Sequence, residues 1–301
     1  MRILVTGSSG QLGSELKELV QNLKFKIQNY IFVFTDSKLL DITNHEAIEK
    51  FIKDNDIKVI INCAAYTAVD KAEFDMEMAD KINHLAVVNM ARIAKNYNIK
   101  LIHISTDYVF NGENFRPYIE TDITNPQGIY GATKLASEKA IQSINPKSAI
   151  IIRTSWVYSY YGTNFVKTVM HLGSERESLG VIFDQVGTPT YARDLASAIL
   201  QILPKLNNQD VEVYNYSNEG VASWYDFARE IIRIAKLNCQ VNPIETVDYP
   251  TLAKRPHYSV LNKNKIKQDF DITIPYWKDS LQDCIKRLKK NLLKCIKQKT
   301  Y

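Results

Sequence analysis

The chain has 301 residues, of which 45% are hydrophobic and 24% charged, as in ordinary globular proteins. No apolar run approaches the roughly 18 residues of a membrane helix, and the N-terminus becomes glycine-rich too early for a signal peptide. The net charge of +5 is concentrated in the segment 284–301, which holds seven Lys and Arg residues and no acid, so the rest of the chain carries −2. We therefore expect neither a membrane nor a nucleic-acid partner.

Two further features of composition narrow the class of protein. The basic segment is predicted to be an amphipathic helix with a solvated basic face. Its apolar positions are Ile285, Leu288, Leu292, Leu293 and Ile296. The four cysteines, Cys63, Cys239, Cys284 and Cys295, are scattered, with no Cys-x-x-Cys pair. That spacing predicts free thiols in the cytoplasm and argues against a structural zinc site.

The first half of the chain alternates short apolar runs with segments of helical periodicity. Strands are predicted at 2–6, 31–35, 58–62, 100–105 and 149–153, and helices at 11–23, 44–54, 75–97 and 129–143. Unbroken apolar runs are typical of parallel strands buried between two layers of helices. The alternation therefore predicts an α/β fold with a doubly wound, Rossmann-like parallel sheet.

From about residue 155 onward the pattern is less regular. Short strands are predicted at 179–183 and 211–216, and helices at 162–176, 191–203, 223–236 and 276–298. We predict a dinucleotide-binding domain over 1–155. The remainder, 156–301, is predicted to form a smaller mixed α/β domain mainly for the substrate, with some of its segments returning to the first domain.

The motif TGSSGQLGSEL joins the first predicted strand to the first predicted helix. Gly7, Gly10 and Gly13 have the spacing G-x-x-G-x-x-G, a variant of the Rossmann fingerprint. One glycine permits the sharp turn, one lets the backbone approach a pyrophosphate, and one lets the helix pack on the strand. The helix N-terminus adds N–H groups and a positive dipole end. The motif therefore predicts a dinucleotide site.

Asp36 follows the second predicted strand, 23 residues after Gly13. A carboxylate there can accept both hydroxyls of the adenosine ribose, which favours NADH, whereas Lys38 is placed to pair with the 2′-phosphate of NADPH. We expect NADH to be used and NADPH to be tolerated; the alternative is that Asp36 is an ordinary loop residue. Nearby positions predicted to face the cofactor are Asp41, Ile42, Ala64 and Ala65.

The run LIHISTDYVF is a predicted buried strand that ends in polar side chains. Because ligands of doubly wound sheets bind beyond the carboxyl ends of the strands, Ser105, Thr106 and Asp107 are predicted to face the cleft. Tyr130 opens a helix 24 residues after Thr106, and Lys134 lies one turn later on the same face. A hydroxyl, a tyrosine and a lysine are thus expected beside the nicotinamide.

Such a trio can reduce a carbonyl group. Hydride passes from the nicotinamide to the carbonyl carbon, and Tyr130 gives a proton to the oxygen. Tyrosine has a pKa of about 10, so we expect the ammonium of Lys134 to lower that pKa. Lys134 is also predicted to hold the nicotinamide ribose, and Thr106 to hydrogen-bond the substrate oxygen.

Several motifs together resemble a known family. They are TGSSGQLGSEL, NCAAYTAVDKAE, HISTDYVFNG, IYGATKLASE, RTSWVYSYYGTNFVKTVM, DQVGTPTYARDLA, SNEGVASWYDFA and KRPHYSVL. With them the chain resembles the extended short-chain dehydrogenase/reductase family over nearly its whole length. The narrower motifs imply NAD(P)H-dependent reduction of the 4-keto group of dTDP-4-dehydro-6-deoxy-L-mannose to dTDP-L-rhamnose, in nucleotide-sugar and cell-surface polysaccharide biosynthesis.

The resemblance also implies roles for individual residues. The implied catalytic triad is Thr106, Tyr130 and Lys134. Of these residues, Tyr130 and Lys134 are also implied to contact the cofactor, and Thr106 and Tyr130 the substrate. Further implied cofactor contacts are Gln11, Leu12, Asp36, Asp41, Ile42, Ala64, Ala65 and Tyr66. Further implied substrate contacts are Asp107 and Trp156 on the sugar, Asn164 on the nucleotide side and Arg255 on the diphosphate. An indole suits a sugar face and a guanidinium suits phosphate oxygens. A core aromatic and a surface salt bridge are the respective alternatives for Trp156 and Arg255.

Other functions of the same fold stay open at this point. They are another nucleotide-sugar 4-reductase, a 4-epimerase that keeps the Tyr–Lys pair, and a non-catalytic regulatory subunit. A 4,6-dehydratase needs an Asp-Glu pair after the threonine for the elimination step. Here Asp107 is followed by Tyr108, which argues against a dehydratase. Some members of the family use Mg²⁺ at a dimer interface, but no ligand cluster in the sequence supports a metal site. Both a monomer and a homodimer are compatible with the sequence.

Overall fold

The structure is a computed structural model that describes residues 1–22 and 30–299, with the backbone alone over 291–299. Its strands are β1 (Arg2–Thr6), β2 (Ile31–Phe34), β3 (Ile57–Asn62), β4 (Lys100–Thr106), β5 (Ala149–Thr154), β6 (Val157–Tyr158), β7 (Ser178–Ile182), β8 (Val186–Gly187), β9 (Thr190–Tyr191), β10 (Glu212–Asn215), β11 (Ala222–Ser223) and β12 (Gln240–Ile244). Its α-helices are α1 (Gln11–Gln21), α2 (His45–Asp54), α3 (Val69–Ala72), α4 (Met76–Asp80), α5 (Ala86–Asn96), α6 (Ile129–Ile144), α7 (Phe165–Glu175), α8 (Ala192–Ile202), α9 (Trp224–Ala235), α10 (Asn264–Phe270) and α11 (Trp277–Lys299).

Six strands form one sheet in the order β2-β1-β3-β4-β5-β10, and every neighbouring pair is parallel. The predicted doubly wound parallel sheet is confirmed, and the strand predicted at 211–216 is its edge strand β10. The strand order reverses between β1 and β3. In sheets of this kind the crevice at that reversal is the place where ligands bind.

Both faces of the sheet are covered, as the unbroken apolar runs predict. Ile3 and Val5 lie in one buried core with residues of α1 and α8. Leu4, between them in sequence, lies in a second core with residues of α2 and α5 on the opposite face. Each fully buried Ile or Leu contributes about 1.5–3 kcal/mol by leaving water. The two cores therefore hold the carboxyl ends of the strands at fixed positions.

The predicted helices are confirmed, with one change. The single helix predicted at 75–97 is α4, a π-helical turn at Lys81–Leu85 and α5 in succession. Asn83 in that turn accepts a hydrogen bond from the Tyr66 backbone N–H at 2.8 Å and donates to the Tyr66 carbonyl at 3.1 Å. The turn therefore anchors the loop that follows β3. The helices α3 and α10 and the short strands β6, β8, β9, β11 and β12 were not predicted. Position 23 of the first predicted helix lies outside the described residues.

A smaller unit follows the main sheet. Here α7, α9 and α11 surround a third core that includes Phe227, and the short strands pair as β6-β9, β7-β12 and β8-β11. Because the third pair is antiparallel, this part is mixed α/β. The division near residue 155 stays a prediction.

Charged side chains tie the two ends of the chain together. Glu15 of α1 has 0% exposure and accepts hydrogen bonds from Ser159 at 2.7 Å, Arg193 at 3.1 Å and Arg287 at 3.0 Å. Arg287 belongs to the basic segment 284–301. The prediction of a wholly solvated basic face is therefore wrong at Arg287, because a buried carboxylate needs a cation beside it. The side chains of Leu292, Leu293, Cys295 and Ile296 lie outside the described residues.

Candidate active site

A cavity of about 540 Å³ lies beyond the carboxyl ends of β1, β3, β4 and β5. Its lining comes from the glycine loop, the segment after β3, the end of β4, α6 and the segment 154–164. Among the predicted site residues, the lining contains Gly10, Gln11, Leu12, Ala64, Ala65, Thr106, Asp107, Tyr130, Lys134, Trp156 and Asn164. The other predicted site residues are Gly7, Gly13, Asp36, Asp41, Ile42, Tyr66 and Arg255, none of which belongs to the lining.

The glycine loop fits a dinucleotide pyrophosphate. Gly7 has φ of 64°, and a Cβ there would lie 2.7 Å from the Ala64 backbone nitrogen. A Cβ on Gly13 would lie 2.5 Å from the Gly7 carbonyl oxygen. Gly10 begins α1 without any side-chain cap, so the first N–H groups of the helix are left for an anion. Gly7 and Gly13 therefore need glycine, whereas the approach of a pyrophosphate to Gly10 stays a prediction.

The residues predicted at the adenosine end already have local partners. Asp36 accepts hydrogen bonds from the backbone N–H groups of Lys38 at 3.0 Å and Leu39 at 3.1 Å. Asp41 accepts from Thr43, whose backbone N–H is the main cause of a lowered Asp41 pKa. Ile42 lies in the core beneath this loop with 8% exposure. The carboxylate of Asp36 keeps lone pairs for a ribose, since each oxygen accepts more than one hydrogen bond.

Thr106 ends β4 and is nearly buried. Its hydroxyl donates to Asp107 Oδ1 at 3.0 Å and accepts from the Tyr108 backbone N–H at 3.2 Å. The hydroxyl therefore already uses its only proton, and it can donate to a substrate oxygen only by releasing Asp107. Burial raises the pKa of Asp107 to about 6, and the nearby hydroxyls of Ser259 and Thr106 oppose that rise.

Tyr130 is the second residue of α6, and its ring packs edge-on against that of Tyr108 with a centroid separation of 5.6 Å. The ring is partly accessible through the cavity, but the surrounding protein raises the pKa of Tyr130 to about 12, with Thr106 opposing the rise. The predicted lowering of this pKa by Lys134 is wrong, because the effect of burial dominates. The phenol is protonated at neutral pH, as a proton donor must be.

Lys134 is buried, with 1% exposure. Its Nζ donates to the Ile104 carbonyl at 2.6 Å and lies 3.1 Å from His103 Nε2. Burial lowers the pKa of Lys134 to about 8, and the negative charge of Glu138 opposes that shift. Its amine therefore changes charge close to neutral pH instead of remaining a permanent cation.

Sequence reasoning missed a buried ion pair behind the lysine. Glu138 (1% exposed) lies one turn after Lys134, and Arg153 of β5 donates to both of its oxygens at 3.1 Å and 2.7 Å. The Ser105 hydroxyl also donates to Glu138. An arginine in the apolar run AIIIR, inside a strand predicted to be buried, was the signal that could have found this pair.

Trp156, the residue predicted to contact the sugar, belongs to the cavity lining. This residue has φ of 48°, which is uncommon for a non-glycine residue, and its ring stacks on that of Trp224 at a centroid distance of 3.7 Å. A Cβ on Gly187 would lie 2.8 Å from the indole. A strained backbone of this kind in a residue of the cavity lining is typical of ligand sites.

Asn164 and Arg255 are not brought together. Asn164 caps α7, and its amide donates to Gln11 at 3.0 Å and to the Ser159 carbonyl at 2.7 Å, so it lies beside the glycine loop. Arg255 pairs with Asp70 at 2.7 Å near the segment after β3. Arg255 Nη1 is buried without a hydrogen-bond partner within the described part of the chain. The alternative interpretation of Arg255, a salt bridge, is therefore present in the structure, and contact of Arg255 with a diphosphate stays a prediction.

Neither a metal cluster nor a membrane span is found in the residues described. Over 1–22 and 30–299, no group of three or more His, Cys, Asp or Glu side chains is arranged to hold a metal ion. In the same part of the chain, no helix is long and apolar enough to cross a membrane.

Comparison with known proteins places these observations in a family. Residues 1–290 match the family described as RmlD substrate binding domain. The chain is 41% identical over 292 residues to the dTDP-4-dehydrorhamnose reductase of Aggregatibacter actinomycetemcomitans, with 94% of this chain and 97% of that protein covered.

Two solved structures are similar in fold and sequence. One is a dTDP-4-dehydrorhamnose reductase from Clostridium acetobutylicum, with 42% identity, a TM-score of 0.88, and coverage of 96% of this chain and 100% of that one. The other is a dTDP-4-dehydrorhamnose reductase from Bacillus anthracis in complex with NADP, with 36% identity and a TM-score of 0.88. The match covers 95% of this chain and 99% of that one.

Proposed function

Because this chain belongs to the RmlD substrate binding domain family, we propose that it reduces the 4-keto group of dTDP-4-dehydro-6-deoxy-L-mannose to give dTDP-L-rhamnose, with NADH or NADPH. The observation that carries the proposal is a single cavity lined by Thr106, Tyr130 and Lys134 together with the glycine loop. Relatives that share about 40% of the sequence over almost the whole chain carry the name of this reductase.

We assign the cofactor to the end of the cavity beside the reversal of strand order. The glycine loop and the uncapped N-terminus of α1 would hold the pyrophosphate, Asp36 the adenosine ribose, and Lys134 the nicotinamide ribose. When bound, the reduced nicotinamide supplies the hydride that the carbonyl carbon accepts. A relative in complex with NADP supports use of the phosphorylated form.

Residues of the chain then protonate the oxygen of the substrate and hold the substrate in place. Tyr130, whose pKa is about 12, stays protonated and gives its proton to an alkoxide, which is a stronger base than the phenolate. Trp156 stacks on the sugar ring and Asp107 accepts hydrogen bonds from sugar hydroxyls. We assign Arg255 to the diphosphate, because a guanidinium suits phosphate oxygens and remote binding can position the carbonyl.

We further assign residues 1–155 to the cofactor and most of 156–301 to the substrate, and we propose a cytoplasmic location. In the described side chains, Cys63, Cys239 and Cys284 are free thiols. Free thiols are the usual state in a reducing compartment.

A coupled assay tests the proposed function. The 4-keto sugar nucleotide is generated enzymatically, and the loss of NADH or NADPH absorbance is followed with purified protein. Consumption of reduced cofactor and formation of dTDP-L-rhamnose are expected. A protein that consumes no cofactor and leaves the sugar unchanged would favour a regulatory subunit. A sugar of altered configuration without cofactor consumption would favour an epimerase, and one formed with consumption would favour another reductase of the same fold.

A further inference from the structure

A buried row of polar side chains runs across the sheet to Lys134. Thr6, Asn62 and His103 lie on β1, β3 and β4, each with at most 1% exposure. Thr6 Oγ1 donates to Asn62 Oδ1 at 2.6 Å, and Asn62 Nδ2 lies 3.1 Å from His103 Nδ1. His103 Nε2 in turn lies 3.1 Å from Lys134 Nζ. Three polar groups inside a sheet core are costly, and neither the glycine motif nor the catalytic trio needs them.

The orientation of the Asn62 amide is determined by its surroundings. The backbone N–H of Ala64 donates to Asn62 Oδ1 at 3.2 Å, and Thr6 donates to the same atom. A backbone N–H has no acceptor capacity, so the atom that faces it must be the amide oxygen. The amide NH₂ of Asn62 therefore faces His103 and donates to Nδ1.

This orientation selects one tautomer of His103. Nδ1 accepts a hydrogen bond, so it carries no proton, and burial lowers the pKa of His103 well below its ordinary value, so the ring is neutral. Its single proton must then be on Nε2. The Ser137 hydroxyl lies 3.2 Å from Nε2 and gives its own proton to the Lys134 carbonyl at 2.6 Å, which leaves its lone pairs free to accept.

The tautomer of His103 affects the charge of Lys134. Nε2, which carries the only proton of the ring, lies 3.1 Å from Nζ and 3.2 Å from Ser137 Oγ, and the Ile104 carbonyl accepts one hydrogen from Nζ at 2.6 Å. An ammonium would set N–H against N–H, whereas an uncharged amine offers a lone pair. Other titratable or charged groups near the lysine are Glu138 with Arg153, Tyr130, Asp107 and Cys63. Of these, the carboxylate of Glu138 favours the ammonium and opposes the imidazole.

We propose that Asn62 and His103 are positioning residues, which hold an imidazole N–H against the amine of Lys134 and so favour its uncharged form. The proposal rests on the proposed function only in giving Lys134 a part in the reduction. A lysine that changes charge near neutral pH makes any activity that needs its ammonium depend on pH in that range.

The tautomer can be measured without substrate or cofactor. Long-range ¹H–¹⁵N spectra of the protein between pH 5.5 and 9 report the protonated nitrogen of each of the five histidines. His103 is assigned by the loss of its signals in His103→Gln. We expect a neutral ring with its proton on Nε2 throughout. A proton on Nδ1, or titration of His103 within this range, would overturn the proposal.

A substitution that reverses the tautomer tests the effect on Lys134. In Asn62→Asp a carboxylate oxygen replaces the NH₂ group, so His103 must donate from Nδ1 and its Nε2 becomes an acceptor for the ammonium. We expect the proton on Nδ1 and a rise of at least one unit in the pKa of Lys134, a tenfold change in proton affinity. That pKa is read from the lysine ¹³Cε shift and from the alkaline limb of kcat/KM.

Thr6→Val is the matched control, because it perturbs the row but leaves the Ala64 N–H to orient Asn62. Its lysine titration should match that of the parent. A rise in the Asn62→Asp variant with the proton still on Nε2 would show that added charge alone acts, and the proposal would fail. So would a reversed tautomer without any rise. If Asn62→Asp does not fold, the tautomer of His103 measured in the parent protein decides whether the proposal holds. If the parent reduces no sugar, the proposed function fails, while the spectra still decide this inference.

Discussion

The carboxylate of Glu138 provides a quantitative test of how the charge of Lys134 is controlled. In Glu138→Gln the side chain keeps its size and loses its charge. Residues four apart on a helix are about 6 Å apart, and at an effective dielectric constant of about 20 the lost attraction is about 2.8 kcal/mol. That is about two pKa units. We therefore expect the pKa of Lys134 to fall from about 8 to about 6.

The sign of the effect on activity follows from the charged form. The ammonium exists below the pKa of Lys134, so activity that needs the ammonium is lost as the pH rises through that value. The alkaline limb of kcat/KM should accordingly move from about pH 8 to about pH 6 in Glu138→Gln. The measurement is the coupled assay across pH 5–10, with parent and variant at equal concentration.

The same substitution should lower stability, because Arg153 loses its buried partner. Removing one member of a buried ion pair costs about 3–5 kcal/mol. A chain of 301 residues unfolds with an entropy of about 0.6 kcal/mol/K, so Tm should fall by about 5–8 °C.

Asp54→Asn is the matched control, since Lys50 and Asp54 form an exposed pair with the same spacing on α2. An exposed pair contributes at most about 1 kcal/mol, so Tm should fall by less than about 2 °C and the pH profile should not move. An unmoved alkaline limb in folded, active Glu138→Gln would refute control of activity by the charge of Lys134.

Three other substitutions test separate parts of the site. Tyr130→Phe should lower kcat by about 10²–10⁴-fold while cofactor binding survives, and a variant that keeps half its kcat would show that the proton comes from another group. Arg255→Ala should weaken dTDP binding in a titration by about 1.5–3 kcal/mol and leave NADH binding unchanged; equal dTDP binding would make Arg255 only a partner of Asp70. Gly131→Ala puts a Cβ 2.2 Å from the Tyr108 carbonyl oxygen, so the start of α6 must shift and both Tm and kcat should fall, whereas an unchanged kcat would contradict this close contact.

Local patterns in the sequence were sufficient for most of the fold. The strands β1 to β5 are apolar runs bounded by polar loops, and their neighbours in the sheet do not alter that pattern. The seven-residue helix α10 was missed because it offers too few turns for a periodicity to show. The π-helical turn was missed for a different reason. Its residue Asn83 exchanges hydrogen bonds in both directions with the backbone of Tyr66, 17 residues away, and no local pattern encodes such contacts.

In the candidate site, too, the features set by local sequence could be predicted, and those set by distant contacts could not. The spacing of Gly7, Gly10 and Gly13 is local, so the need for glycine could be predicted. The pKa of Tyr130 could not be predicted, because it depends on how completely distant segments enclose the ring. The hydrogen bond of Asn164 to Gln11 could not be predicted either, because Gln11 lies 153 residues earlier in the sequence. His103 and Asn62 carried a usable signal, namely polar residues inside buried strands, that sequence reasoning did not follow up.

The ion cluster around Glu15 has a consequence for the order in which the chain is completed during synthesis. The partners of this buried carboxylate, Ser159, Arg193 and Arg287, follow it by 144, 178 and 272 residues. A nascent chain that packed α1 before these residues emerged would bury a charge without a counter-ion, at a cost of several kcal/mol. Final docking of α1, and with it the completed dinucleotide loop, therefore waits for nearly the whole polypeptide to leave the ribosome.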